Sequence, residues 1–82
     1  MKTITINVTK RDIERGLPGS NHSCAIALAA SRKLTNVLCT NTVLFYGNST
    51  DYVSLPFDAQ NFTMDFDDGK PVKPIKFPVR VP

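Results

Sequence analysis

The reactive side chains of this sequence are few and spread out. His22 and Cys24 stand two positions apart, and Cys39 follows later; together they are the only group that could ligate a metal or pair a thiol with a base. Zinc takes about four ligands, and the chain has one histidine, two cysteines and no Cys-x-x-Cys, so no metal site is expected. A catalytic Cys–His pair is not expected either. Residues two apart on a helix do not share a face, and the apolar neighbours of Cys24 suggest burial.

The acids Asp65, Asp67 and Asp68 form the second cluster. They fall where a helix should end, so their charge opposes the macrodipole. Their spacing lacks the further ligands of a calcium loop. Such a cluster is commonly a solvated helix end, here balanced by Lys70 and Lys73; the alternative is a patch for a partner. The third set is basic. Ten basic and seven acidic residues leave a net charge of +3, and the cations are split among Lys10/Arg11/Arg15, Arg32/Lys33 and Lys76/Arg80. Nucleic-acid affinity depends on how many phosphates are neutralised together, so this scatter is a weak footprint. No glycine-rich phosphate loop, catalytic carboxylate pair or Ser/His/Asp set is present. No catalytic residue, cofactor or metal is therefore expected.

The elements that must position these residues can be read from periodicity. Residues 2–8 alternate, with Ile4, Ile6 and Val8 on one face, and read as a half-buried strand. Thr9 with Asp12 three residues on is a weak capping box for a short helix, Lys10 to Arg15. Gly16 should close that helix at C′, with Ile13 and Leu17 holding it to the core. Pro18 and Gly19 mark a loop. The strongest helix signal runs from Cys24 to Leu34, capped by Ser20, Asn21 or Ser23. On its wheel Ala27, Ala30 and Leu34 share a stripe flanked by Ile26, Leu28 and Cys24, while Ala25, Ala29, Arg32 and Lys33 lie opposite.

Residues 36–40 and 42–46 read as a tight hairpin, and Gly47 to Asp51 as a loop. Tyr52 and Val53 either extend the sheet or pack on it. Ser54 should cap a second helix with Pro56 in its first turn, a buried face of Leu55, Ala59, Phe62 and Phe66, and a stop at Gly69 and Pro71. In the tail Ile75, Phe77, Val79 and Val81 point one way and Pro74, Lys76, Pro78 and Arg80 the other. Prolines of one parity strip donors from one edge only, which makes this an edge strand.

The expected fold is a single α+β domain over residues 1–82: a two-layer β-α-β-β-α-β sandwich, ferredoxin-like in topology. Its four-stranded sheet would have the last strand at an edge beside the first. RNA-binding proteins of that shape stack bases on aromatics of the central strands. Here Thr3, Thr5 and Asn7 cannot stack, although one of the adjacent Phe45 and Tyr46 must face the open side. With 82 residues and no run of about 18 apolar ones, no segment is expected to span a membrane. The alternating N-terminus lacks an apolar leader, so a cytoplasmic protein is expected. In that reducing compartment a Cys24–Cys39 disulfide is not. The Asn-x-Ser/Thr sequons at Asn7, Asn21, Asn48 and Asn61 then follow from composition alone.

Several short motifs recur together. They are Asp12-Ile13-Glu14-Arg15-Gly16, Cys24-Ala25-Ile26-Ala27-Leu28-Ala29, Leu55-Pro56, Ala59 to Phe62, Phe66-Asp67-Asp68-Gly69 and the proline-rich strand Lys73 to Val81. In these the chain resembles a family of small uncharacterised proteins encoded by phages, prophages and bacterial, especially actinobacterial, genomes. Family members often carry proline where this chain has Ala25 and a second cysteine where it has Asn21, which further weakens any Cys-x-x-Cys site. The resemblance implies a phage or prophage source and no particular activity. The expected function is non-enzymatic protein–protein contact, with a host defence or regulatory protein as the sharper form of the partner. The alternative is a nucleic-acid-binding module. The candidate surface is Asp65, Asp67, Asp68, Lys76, Arg80 and Tyr46; the oligomeric state is left open.

Overall fold

A computed structural model describes residues 2–47 and 51–81. The first strand, β1 (Lys2–Val8), pairs antiparallel with the last, β5 (Ile75–Val81). Directly opposed residues share a face. Ile4 faces Val79, Ile6 faces Phe77 and Val8 faces Ile75, all toward the core; Thr3–Arg80, Thr5–Pro78 and Asn7–Lys76 make up the polar outer face. The alternation of both segments is thus expressed in one ribbon.

Thr9 caps α1 (Lys10–Arg15) in a complete box: the Asp12 N–H donates to Thr9 Oγ1 at 3.2 Å, and the Thr9 N–H donates to Asp12 Oδ2 at 2.9 Å. Gly16 does not take the expected left-handed C′ conformation; its φ is −67°. Glycine is needed there for space, since a Cβ would lie 2.7 Å from the Ala25 nitrogen and 2.9 Å from both the Asp12 oxygen and Phe66 Cζ. Leu17 is 59% exposed, so Ile13 alone packs α1 to the core.

The central helix, α2 (Ala25–Ala30), is shorter than its sequence signal and has Cys24 at the N-cap. It packs against β1 and α1, and also reaches the second sheet. Ala25 and Ala29, expected on the open face, are buried with Ile26, Ala27 and Ala30, while Leu28 and Leu34 are only half-buried. A helix apolar all round is an interior helix. Past Ser31, whose hydroxyl donates to the Ala27 carbonyl at 2.7 Å, the backbone tightens into three-residue turns: the Arg32 N–H donates to the Ala29 carbonyl at 3.3 Å and the Lys33 N–H to the Ala30 carbonyl at 3.0 Å. The following turns lead into Asn36, whose φ is 50°.

The second sheet is antiparallel and orders β2 (Leu38–Cys39), β3 (Val43–Tyr46) and β4 (Asp51–Ser54) in sequence. The hairpin register is Leu38–Phe45 and Cys39–Leu44, and Thr40 Oγ1 closes the turn by accepting the Val43 N–H at 3.0 Å. The loop expected at Gly47–Asp51 survives at Gly47, whose φ is +67°. Asn48, Ser49 and Thr50, including the sequon asparagine, lie outside the described residues, and Asp51 already belongs to β4.

Ser54 therefore ends a strand rather than capping a helix. Pro56 takes the N-cap of α3 (Phe57–Asp67), and the Gln60 side chain steadies that start by donating to the Leu55 carbonyl at 2.9 Å. Ala59, Phe62 and Phe66 form its buried face as expected, and Leu55 is buried just before it. The helix ends in a Schellman motif: the Lys70 N–H donates to the Asp65 carbonyl and the Gly69 N–H to the Phe66 carbonyl, with Gly69 at φ +76°.

The fold is thus α+β, as expected, but the described strands number five in two sheets rather than four in one. β4 lies against β5 without a shared ladder, and Pro78 has no N–H to contribute to one. The inward residues of both sheets and all three helices join one core. The radius of gyration is 11.3 Å, near the value of about 12 Å for a compact chain of this length.

Candidate functional site

The six residues of the expected surface belong to three elements, β3, α3 with its C-cap, and β5, and one of them is buried. Asp65 is half-buried, its carboxylate 4.0 Å from Lys70 Nζ, and Asp68 is the exposed C-cap of α3. Asp67 has a structural use: its Oδ1 accepts the Gly19 N–H at 2.9 Å and ties the 17–20 loop to the helix end. Lys76 and Arg80 stand on the outer face of β5 opposite Asn7 and Thr3, whereas the acids belong to the end of α3. Tyr46 is not a surface residue. It shares the inward parity of Leu44 and is buried. Its hydroxyl has no hydrogen-bond partner among the described residues, and burial, with Asp51 nearby, pushes its pKa up.

The adjacent aromatic, Phe45, is the one that faces outward. It pairs with Leu38 on one side and Tyr52 on the other, so one face of the second sheet carries the row Leu38–Phe45–Tyr52. Leu38 and Phe45 are half-buried and Tyr52 is 61% exposed. The Phe45 and Tyr52 rings lie 5.8 Å apart at 51°, within the tilted range that aromatic pairs favour. The opposite row, Cys39–Leu44–Val53, is buried in the core. Sequence reasoning saw that Phe45 or Tyr46 had to face outward, but missed the row because Asp51–Ser54 had not been fixed as a strand. With that strand placed, parity alone aligns Leu38, Phe45 and Tyr52. Phe57, at the start of α3, is 77% exposed, and Met64 farther along the helix is 51% exposed.

The groups considered for metal or thiol chemistry are arranged differently from their order in the chain. His22 is exposed and its Nδ1 lies 3.2 Å from the Val37 carbonyl. Cys24 and Cys39 are both free and buried. No group of three His, Cys, Asp or Glu side chains suited to a metal is found among the described residues. They also form no pocket, and none of their helices is long and apolar enough to cross a membrane.

A second feature missed in the sequence is an ion pair. Asp12, expected only as a weak cap, is almost wholly buried and is held by Arg32. On a helical wheel Arg32 lies opposite the apolar stripe, which gives no sign of this partner. Hydrogen bonds from Arg32 hold the Asp12 carboxyl below its ordinary range, against the opposing effect of burial and with help from Thr9.

Compared with protein-family models, curated proteins and solved structures, the chain matches none of them. The resemblance to phage-encoded proteins accordingly rests on its short motifs alone.

Proposed function

We propose that the protein works by protein–protein contact, without catalysis, through the outer face of the β2–β3–β4 sheet. The observation that carries this reading is the Leu38–Phe45–Tyr52 row on a solvent-facing side of a sheet. Contiguous apolar surface is characteristic of interaction sites, and aromatic residues are enriched at the centres of interfaces. The short-motif resemblance adds only a source, a phage or prophage; in the sharper form of this reading the chain acts in the host cytoplasm on a host defence or regulatory protein. Asp65, Asp68, Lys76 and Arg80 serve in this reading as charged surroundings rather than as its centre.

The test compares capture from host lysate by the wild type and by Tyr52→Glu, a change at an exposed position that leaves the core intact. The expected result is a partner retained by the wild type and lost by the variant. A partner held equally by both, or none held by either, would sink the reading.

Aromatic rings on a sheet also suit base stacking, which keeps nucleic-acid binding as a second reading. The cations Lys76 and Arg80 stand on the other sheet, however, and Asp51 lies on the same strand as Tyr52. Gel shifts at low salt decide it: retardation of single-stranded DNA or RNA that Tyr52→Glu and Arg80→Glu abolish would favour this reading over protein contact.

A further inference from the structure

β1 pairs with β5 along one edge, and its other edge has an open row of backbone groups. In an antiparallel ladder the N–H and carbonyl of one residue point to the same side, and successive residues alternate sides. The Asn7 carbonyl accepts from Arg32 Nη2 at 2.7 Å, so it points away from β5. Thr3 and Thr5 share its parity. Pro78, opposite Thr5, agrees: it has no N–H to give, which suits a pair that exchanges no bonds. The N–H and carbonyl groups of Thr3 and Thr5 therefore lie along the outer edge, and both residues are exposed. Among the described residues, the Arg32 contact to Asn7 is the single hydrogen bond made along this edge.

Sheets guard their edges with short strands, prolines, bulges or charges. The other strands here have such guards. β2 is two residues long; β4 and β5 lie against each other, and β5 carries Pro78. β1 has none of these along its length. Its seven pairs run unbroken, it holds no proline, and its one charge, Lys2, stands at the end.

We propose that the outer edge of β1 takes up an extended segment of a partner protein as an added strand, with acidic and apolar side chains in alternation. Charge decides the occupant. β1 and β5 together carry Lys2, Lys76 and Arg80 and no acid. A second copy would bring two cationic ribbons together, whereas an acidic strand neutralises one. Arg32 adds no net charge, because Asp12 already holds it. The alternation of a strand sets the pattern. Acids on the outer face of the added strand would lie beside the Thr3 and Thr5 hydroxyls, which can donate to them. Arg80 and Lys76, opposite Thr3 and Asn7, stand one strand farther on, about 10 Å from the new backbone and within reach of its carboxylates through their long side chains. The residues between the acids fall beside Ile4, which is only half-buried, and apolar ones would cover it. In this mode the main-chain bonds to Thr3 and Thr5 give affinity, and the alternate side chains give selectivity.

This edge belongs to a different sheet from the Leu38–Phe45–Tyr52 row and does not depend on it. The test titrates the whole chain against a fluorescent peptide of alternating glutamate and valine long enough to span β1, with a lysine–valine peptide as control. Amide hydrogen exchange is followed by NMR. The acidic peptide alone should bind, and binding should slow exchange at the Thr3 and Thr5 amides. Those of Ile4 and Ile6, which point to β5, should change little. Joint Lys76→Glu and Arg80→Glu substitution, at exposed positions, should weaken binding about tenfold by turning attractive pairs into repulsive ones. Thr5→Pro removes an edge donor that the β5 ladder does not use and should abolish binding, while Tyr52→Glu should leave it as it is. Equal binding of both peptides, no binding, undiminished binding by the charge-reversed chain, or binding that leaves Thr3 and Thr5 unprotected would overturn the proposal. So would concentration-dependent protection of those two amides without peptide, which would assign the edge to a second copy. The charge-reversed chain and the wild-type exchange decide the matter even if Thr5→Pro does not fold.

Discussion

Arg32 holds Asp12 through both guanidinium nitrogens, Nη1 to Oδ1 at 2.7 Å and Nη2 to Oδ2 at 2.8 Å, and Nη2 also reaches the Asn7 carbonyl at 2.7 Å. One fork thus joins the end of β1, the first turn of α1 and the chain leaving α2. Two-pronged contacts of this kind fix orientation as well as charge. Asp12→Ala removes the fork and half of the capping box. It should lower stability by about 2 kcal/mol, the sum of a lost cap and a charge-assisted bond, discounted because the Arg32 side chain is half exposed and screened. Urea denaturation measures it; a loss below about 0.5 kcal/mol would mean that solvent screening dominates.

The same pair sets a pH dependence. The carboxyl of Asp12 is depressed below its ordinary value of 3.8, so its contribution is fully present above that pH. It is lost as pH falls through the lower folded-state value, because the unfolded chain takes up the proton first. Asp12→Asn should therefore flatten the stability profile below about pH 4 and leave its shape near neutrality unchanged. Unfolding curves for the two proteins across pH 2–7 test this; superimposable acid limbs would show that other carboxylates carry the effect.

Two glycines should fail for different reasons. At Gly16 an alanine Cβ meets backbone and the Phe66 ring at under 3 Å although φ is ordinary, so Gly16→Ala should cost about 2–3 kcal/mol through crowding. At Gly19 nothing lies within 4 Å but φ is +78°, so Gly19→Ala should cost about 1 kcal/mol through backbone strain. The comparison separates space from conformation, and an equal cost at both sites would contradict the close packing of α1, α2 and α3 around Gly16.

Tyr46→Phe removes a buried hydroxyl that has no partner among the described residues. Leaving such a group unpaired costs stability in the wild type, so the variant should be at least as stable as the wild type. A drop in the midpoint of thermal unfolding would reveal a hydrogen bond made by that hydroxyl.

What could be read from the sequence was whatever depended on one element at a time. The parity of Ile4, Ile6 and Val8 and of Phe77, Val79 and Val81 gave both strands of the first ribbon. The Thr9–Asp12 spacing gave a cap, and Ala59, Phe62 and Phe66 gave the buried side of α3. The misses depend on contacts between elements. Ala25 and Ala29 look exposed on a wheel, but the second sheet and α1 also lie against that helix. Ser54 is as good a cap as any serine until Val43 appears opposite it in a ladder. Tyr46 and Phe45 could not be told apart until Leu38 and Tyr52 fixed which face was outside, and Arg32 reads as a solvated cation until Asp12 is placed beside it.

The ribbon of β1 and β5 sets how the molecule would respond to force. Lys2 faces Val81 at one end and Val8 faces Ile75 at the other. A load applied across residues 2 and 81 falls on a single pair at a time, and the seven pairs part like a zipper. Handles at residues 8 and 81 would instead slide the strands along each other and load every pair together. The same fold should therefore be mechanically weak along one line and strong along the other.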